Sequence, residues 1–416
     1  MLRINRPITR NRKVYTFIAL GLLAIALFTT PSAADNLVAK ATQNLPPNAY
    51  CYYLKSLKVR RQAALTNPST PPEPPDPGSS LPQNAEPYKQ NATEIKADVA
   101  ALEIVRQGFA FKYIPVESES DNSCPIPVDF GMRTIVRLFA KESATKAANE
   151  DWAGAANSAL DGMRLGQDIS HGSISDMLIG RSIQAIASQS LRNIFDHVDA
   201  KTAKTIVARL ADIYSQKIDY ADVLQAEKHQ GLWFFKELAT SADWRKEAHV
   251  SSAKSLAELK NEYVVAMDEL VANARLPYPW RETSIPAAKE PFNQTTLGLF
   301  SDPKYVKSGL TQGIPLAIRQ TQSTFILVEF ALRAYRLDHH HYPQTLSELA
   351  PNYLREVPED PFSAHQPLHY KITGKGYMLY SIGPDGRDNG GKQVLEKRID
   401  ADSRGDIVAD LEKNSA

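Results

Sequence analysis

Charge excess, cysteine and catalytic signatures are what this 416-residue sequence has little of. It contains 48 Lys and Arg against 47 Asp and Glu, a net charge of +1. Proteins dedicated to nucleic acid usually gather a basic excess on one face, so no nucleic-acid partner is expected. Two cysteines are too few for a disulfide-built scaffold or a Cys-rich zinc module. The motifs HExxH, GxSxG and CxxC and the P-loop are also missing, so no reaction is indicated.

Long apolar runs are equally scarce, and the one that occurs lies at the N-terminus. Five basic residues between Arg3 and Lys13 precede the uncharged 17-residue run 14–30, and the small residues of 31–34 follow it. A basic start, an apolar centre and a small-residue cleavage site are typical of a secretory signal. Seventeen helical residues also extend about 25 Å, close to the minimum for crossing a bilayer. We therefore expect export, with residues 1–34 either cleaved as a signal peptide or kept as a single membrane anchor.

Export alters the interpretation of the cysteines and of the net charge. Cys51 and Cys124 would meet an oxidising compartment in which a disulfide persists, although two unpaired thiols are the alternative. Removing the five basic residues of the leader from the 48 leaves 43 against 47 acidic residues, a net charge of −4. A cation is then the more suitable small partner. Contact with the membrane is expected only through the N-terminal segment, and the rest is periplasmic or secreted.

The rest of the sequence changes composition several times, which predicts a modular, α+β protein. Apolar residues recur at spacings of three and four over most of its length, as in Ile95, Val99 and Leu102, and this period indicates helices. Two proline-rich stretches interrupt the pattern and indicate a linker and a connector. The predicted segments are a helical one (35–66), a Pro-rich linker (67–88), an all-α domain (89–276), a Pro-rich connector (277–315) and an α+β module (316–416).

The α+β module has its own succession of elements. A helix is predicted from Leu316 to about His340, and a short helix at 345–350 follows. Period-two runs at 368–372 and 376–381, joined by a Gly-containing turn, predict a β-hairpin, with a third strand at 406–411. Short motifs follow one another through the module. They are Tyr342-Pro343, Asp360-Pro361-Phe362, Gly376-Tyr377, Tyr380–Gly386 and Asp406-Ile407.

By these motifs the block from Phe325 to Leu411 resembles the major pseudopilin of bacterial type II secretion systems. The resemblance implies a long helix packed on a small antiparallel sheet. Pseudopilins also carry a short leader cut after a glycine, followed by a phenylalanine and, at the fifth mature position, a glutamate. The N-terminal run of this sequence lacks these features, so we expect a pseudopilin-like module reused in a larger protein and no filament subunit.

The resemblance also implies calcium, because acidic loops after the hairpin bind this ion in the pseudopilin family. Calcium takes six to eight oxygen ligands, which carboxylates in flexible loops supply. A solvated acidic turn region is the alternative. Asp385 and Asp406 occupy matching motif positions, and the full candidate set is Asp385, Asp388, Asp400, Asp402 and Asp406.

Other reactive residues indicate structural roles. The His339–His341 run ends a predicted helix, where imidazolium charge suits the helix dipole. Asp151, Asp161 and Asp168 share one predicted helix and are either paired acids or solvated surface charges. His171 has no evident partner for nucleophilic catalysis.

Taken together, these features predict a non-enzymatic protein of the bacterial cell envelope whose helical domain binds a protein or a peptide. The alternative is an exported enzyme of hydrolase type with its active site in the helical domain. A polar cleft containing carboxylates of raised pKa would favour the enzyme.

Overall fold

The computed structural model describes nine stretches of the chain. Residues 1–30 of the expected signal or anchor, the Pro-rich linker and most of the connector lie outside them. Within the described stretches, no helix combines the length and the apolar character that crossing a membrane requires. The described residues are 31–65, 91–114, 131–244, 255–275, 313–363, 366–374, 376–395, 399 and 403–409.

Ten α-helices and one three-stranded sheet make up the described residues, so the fold is α+β, as the sequence predicts. Two short 3₁₀ helices, Phe195–His197 and Leu346–Leu349, join longer elements. The helical character predicted for 89–276 is confirmed over the described residues of that segment. The α-helices are α1 (Pro31–Thr42), α2 (Ala49–Leu65), α3 (Ala92–Gly108), α4 (Met132–Ala148), α5 (Trp152–Ile169), α6 (Ile174–Ile194), α7 (Ala200–Ser215), α8 (Tyr220–Leu238), α9 (Leu256–Ala274) and α10 (Gly313–His339).

Polar side chains determine where several of these helices begin. A short polar residue at the N-cap accepts a hydrogen bond from a free backbone N–H of the first turn. Asp199 and Asp219 accept hydrogen bonds from the backbone N–H groups of Thr202 and Ala221 in this way. Three further helices begin with reciprocal capping boxes, whose N-cap residues are Asn91, Ser173 and Ser255.

The centre of the helical body is α5, which packs on α4, α6 and α7. Glycine residues allow α5 and α6 to approach each other closely. A Cβ atom added to Gly180 would lie 2.4 Å from the carbonyl oxygen of Gly166, a distance that no side chain tolerates. The crossing is therefore specified by residues without side chains. A second, smaller core joins α8 and α9 to α6 through Met177, Phe235 and Tyr263.

Helix α10 joins the C-terminal module to the helical body through a continuous hydrophobic core. Phe330 is fully buried and meets the ring of Phe195 edge-on, with ring centres 5.1 Å apart. The guanidinium of Arg333 donates to the backbone carbonyls of Asp196 and Val198 at 2.7 and 2.9 Å, at the turn that precedes α7. The two parts separated in sequence by the Pro-rich connector are thus packed against each other.

The sheet is small and antiparallel, with strands β1 (His369–Thr373), β2 (Gly376–Ser381) and β3 (Ile407–Val408) in that order. The predicted hairpin is confirmed. The third strand is shorter than predicted, because Asp406 pairs with Gln393 as an isolated bridge outside the strand. The carboxylate of Asp360 lies fully buried beneath the end of β2.

Candidate functional site

Carboxylates and tyrosines from five parts of the helical body meet around the N-terminus of α6. The tyrosines belong to α2 and to the residues just after α3, and the carboxylates belong to α5, α6 and α8. These elements are not all neighbours in the sequence, so the cluster forms only when the chain folds. We call this group the carboxylate–tyrosine cluster, and its members are Tyr50, Tyr53, Tyr113, Asp168, Asp176 and Glu227.

Asp168 forms the deepest part of the cluster and has its partners within the protein. Its side chain is 1% exposed and accepts hydrogen bonds from the Tyr53 hydroxyl at 2.5 Å and from Arg164 Nε at 2.7 Å. Burial raises the pKa of Asp168, although Arg164 and Tyr53 act in the opposite direction. The same contact and the burial of the ring raise the pKa of Tyr53 well above its ordinary value. Asp168 therefore holds α2 against α5.

Asp176 and Glu227 occupy the N-terminus of α6. Asp176 completes the capping box and accepts from the backbone N–H and the hydroxyl of Ser173, at 3.0 and 2.9 Å. Glu227 reaches over from α8 and accepts from the backbone N–H of Ile174 at 3.0 Å. A helix N-terminus ordinarily favours the ionised carboxylate. Here burial has the larger effect and raises the pKa of both side chains, and the charge of Asp176 further raises that of Glu227.

Tyr50 and Tyr113 bring aromatic rings and hydroxyls to the same place. Their rings meet edge-on at 5.9 Å, and Tyr113 stacks on Tyr53 at 6.1 Å. Burial, and after it the charge of Asp176, raises the pKa of both Tyr50 and Tyr113. Both tyrosines consequently remain neutral hydrogen-bond donors at physiological pH.

His171 lies in the turn between α5 and α6, half-buried beside the cluster. Its Nδ1 atom is 2.9 Å from the carbonyl oxygen of Gln167, which anchors the ring to its own turn. The contacts of the ring in the described chain include no serine, threonine or cysteine nucleophile. The arrangement offers carboxylates of raised pKa, hydroxyls and aromatic faces, which suit recognition of a polar group.

The predicted calcium ligands fall into two groups. Asp385 and Asp406 lie where the loops after the hairpin cross. Asp385 accepts from the backbone N–H of Gly405 at 3.1 Å, and Asp406 accepts from those of Asn389 and Gly391 at 3.1 and 2.6 Å. Their carboxylates close the loops through backbone hydrogen bonds.

Asp388 faces the hairpin instead. It accepts from the Tyr380 hydroxyl at 3.1 Å and from the backbone N–H of Gly390 at 2.8 Å, and this backbone contact is the main cause of its lowered pKa. Asp400 and Asp402 lie outside the described residues. The residues that the structure does describe contain no group of three or more His, Cys, Asp or Glu side chains arranged to hold a metal.

The three aspartates predicted as either paired or solvated acids on α5 have separate roles. Asp151 caps the helix by accepting from the backbone N–H of Gly154. Asp161 is buried and binds Arg106 and Arg209 at 2.8 and 2.9 Å. Asp168 belongs to the carboxylate–tyrosine cluster. They are therefore not a catalytic pair, and two of them are not solvated either.

The histidine run ends α10 as predicted, and aromatic neighbours surround it. The ring centre of His339 lies 4.3 Å from that of Tyr335, and its Nε2 atom lies 3.1 Å from the Tyr353 hydroxyl. Asp338 binds Lys204 of α7 at 2.7 Å. This end of the helix fastens the C-terminal module to the body.

Cys51 is buried in α2 and is disulfide-bonded. The sequence contains one other cysteine, Cys124, which lies outside the described residues. Of the two alternatives that the sequence left open, the bonded state of Cys51 supports the disulfide, and Cys124 remains its predicted partner.

A small cavity of about 150 Å³ lies between the body and the sheet. Arg192 of α6, Phe325 of α10 and Asp406 line it together with neighbouring residues of the last loop. Its volume is below the range of about 300–1,000 Å³ that is typical of small-molecule sites, so we assign it no ligand.

Comparison of the chain with protein-family models, with curated proteins and with solved structures gave no match. Function is therefore argued from the residues of the chain and from their geometry. The carboxylate–tyrosine cluster is the part of the described structure that is best suited to binding a ligand.

Proposed function

We propose that this chain is an exported protein of the bacterial cell envelope whose helical body binds a protein or a peptide. Its C-terminal module, pseudopilin-like by sequence, serves as a fixed part of the body. Export rests on the basic and apolar N-terminal segment, and binding rests on the carboxylate–tyrosine cluster. The observation that carries the proposal is that two half-buried carboxylates of that cluster, Asp176 and Glu227, have no basic partner among the described residues.

The position of α10 supports a fixed module in place of a filament subunit. The long helix of a pseudopilin is the part that assembles into a filament. In this chain the side chains of Val328, Phe330 and Ala331 are fully buried in the shared core. This part of α10 is therefore already packed within the fold, which favours a single folded unit over a polymer.

The binding function predicts that the purified full-length chain retains peptides on an array of random sequences. We expect micromolar dissociation constants for the selected peptides when they are measured in solution. Tyr50→Ala combined with Glu227→Gln should abolish retention, because the pair removes an aromatic face and a carboxylate of the cluster. Asp222→Asn is the matched control, since Asp222 is an exposed carboxylate on the same helix as Glu227. An array on which the chain retains no peptide would contradict the proposal.

Calcium is proposed as a stabiliser of the last loops. Millimolar calcium, compared with a chelator, should raise the unfolding temperature of the full-length chain by several degrees, since a ligand at about 100 times its Kd contributes about 2.7 kcal/mol. Asp385→Asn with Asp406→Asn should remove the calcium-dependent difference, whatever the change does to the absolute unfolding temperature. The same difference in Asp222→Asn should be unaltered. An unfolding temperature that is identical with calcium and with chelator would refute this role.

An exported enzyme of hydrolase type is the second candidate, and one observation favours it. Burial raises the pKa of Asp176 and of Glu227, and a raised carboxylate pKa is a feature of general acids in enzymes. Turnover of an ester, glycoside or peptide substrate that Glu227→Gln abolishes and Asp222→Asn preserves would establish it.

A further inference from the structure

The charges of Asp176 and Glu227 are not balanced inside the protein. Neither carboxylate forms an ion pair with any described residue, in contrast with Asp168, which binds Arg164 at 2.7 Å. One oxygen of each accepts from the first turn of α6, and the second oxygens, Asp176 Oδ1 and Glu227 Oε1, accept no hydrogen bond from described residues. Both side chains are half-buried, so water compensates their unpaired charge only in part, and a cation would relieve the remaining cost.

Tyr113 gives an independent indication that something binds here. Its side chain is 9% exposed, and its hydroxyl has no hydrogen-bond partner in the described part of the chain. The hydroxyl is within electrostatic range of Asp176, since the charge of that carboxylate raises the pKa of Tyr113. The hydroxyl is not among the fully enclosed polar atoms of the described residues that lack a partner, so it reaches the surface and is available to a ligand.

From these observations we propose that the carboxylate–tyrosine cluster binds an ammonium or guanidinium group, namely a lysine or arginine side chain of a peptide. The inference rests on the proposed binding function and adds the chemistry of the recognised group. Asp176 and Glu227 supply charge-assisted acceptors, and the rings of Tyr50 and Tyr113 supply the aromatic faces on which such cations rest.

An anionic ligand does not fit the same place. The N-terminus of a helix usually attracts anions through its free backbone N–H groups. In α6 the N–H groups of Ser173 and Ile174 are already used by Asp176 and Glu227, so the protein supplies the anions itself. What remains at the site is negative charge, acceptor oxygens and aromatic surface. Compared with a cation, a neutral peptide group at this site would form the hydrogen bonds but would lack the charge interaction.

The experiment compares peptides that differ only in charge. The probes are the blocked tripeptides Ac-Ala-Lys-Ala-NH₂, Ac-Ala-Arg-Ala-NH₂ and the same lysine peptide acetylated at Nζ, titrated by calorimetry into the purified full-length chain. Both basic peptides should bind, and acetylation should weaken binding at least tenfold. Glu227→Gln should weaken binding of the basic peptides at least tenfold, because a charge-assisted hydrogen bond is lost. Asp222→Asn should leave it unchanged.

Tyr113→Phe provides a second variant that keeps the buried ring and removes only the hydroxyl. It should weaken binding several-fold without lowering the unfolding temperature. It tests the site even if the Glu227→Gln variant fails to fold.

Equal binding of the acetylated peptide would overturn the cation assignment while leaving peptide binding intact. Failure of both basic peptides to bind, while other array peptides are retained, would overturn it too. If the array retains no peptide, the proposed function itself fails. Equal weakening by Asp222→Asn would assign the effect to overall surface charge and overturn the site.

Discussion

Replacing Asp360 by alanine is expected to lower the free energy of unfolding by about 3–5 kcal/mol. The carboxylate is 1% exposed and accepts three hydrogen bonds, from the backbone N–H of Phe362, the hydroxyl of Ser381 and the backbone N–H of Ile382, at 2.9, 2.7 and 2.9 Å. Alanine leaves all three donors buried without an acceptor. Since Asp360 lies between the loop after the 3₁₀ helix and the end of β2, the loss should disconnect the sheet from its supporting loop.

Urea denaturation followed by circular dichroism measures this effect, with Asp388→Ala as the control. Asp388 belongs to the same module and also accepts hydrogen bonds, but its side chain is 46% exposed. Water replaces its partners, so the control should lose less than about 1 kcal/mol. Equal losses in the two variants would show that burial of the Asp360 carboxylate does not set its contribution.

The helices were predictable because each is long and carries its signals locally. The spacing of Ile95 and Leu102 and the caps at Asp199 and Asp219 lie within one or two turns of the residues they order. Where the structure differs from the prediction, a turn or a tertiary contact is the cause. The segment 35–66 is two helices because Asn44 adopts φ 65° just before a pair of prolines, which cannot continue a helix.

The candidate site was far less predictable than the fold. Tyr50 and Glu227 are separated by most of the helical body in sequence, and no local motif relates them. In the sequence, Glu227 does not differ from any other carboxylate on a helix. Only the packing of α8 on α6 brings it to the backbone of Ile174. Asp168 was identified as an acid on a helix, but its burial and its bond to Tyr53 depend on the position of α2. Long-range packing, which sequence periodicity does not encode, creates the cluster.

Removing the disulfide is the second change with a large expected effect. A bridge between Cys51 and Cys124 closes a loop of about 70 residues, and the loss of chain entropy in the unfolded state then stabilises the fold by about 4 kcal/mol. The double variant Cys51→Ser, Cys124→Ser should therefore unfold at lower urea than the oxidised chain. Adding a reductant to the unsubstituted chain should bring it to the same midpoint, and the double variant should be insensitive to the reductant.

The same bridge bears on binding, because Cys51 lies between Tyr50 and Tyr53 on α2. The other cysteine follows Tyr113 in sequence, so the covalent link restricts both chain segments that carry the tyrosines of the cluster. If these rings are already ordered in the free protein, less conformational entropy is lost when a ligand binds. We therefore expect the double variant to bind the basic tripeptides more weakly at temperatures at which it is still folded. Unchanged affinity together with a lower stability would show that the bridge acts on the fold alone, and unchanged stability would show that the loop closure contributes nothing.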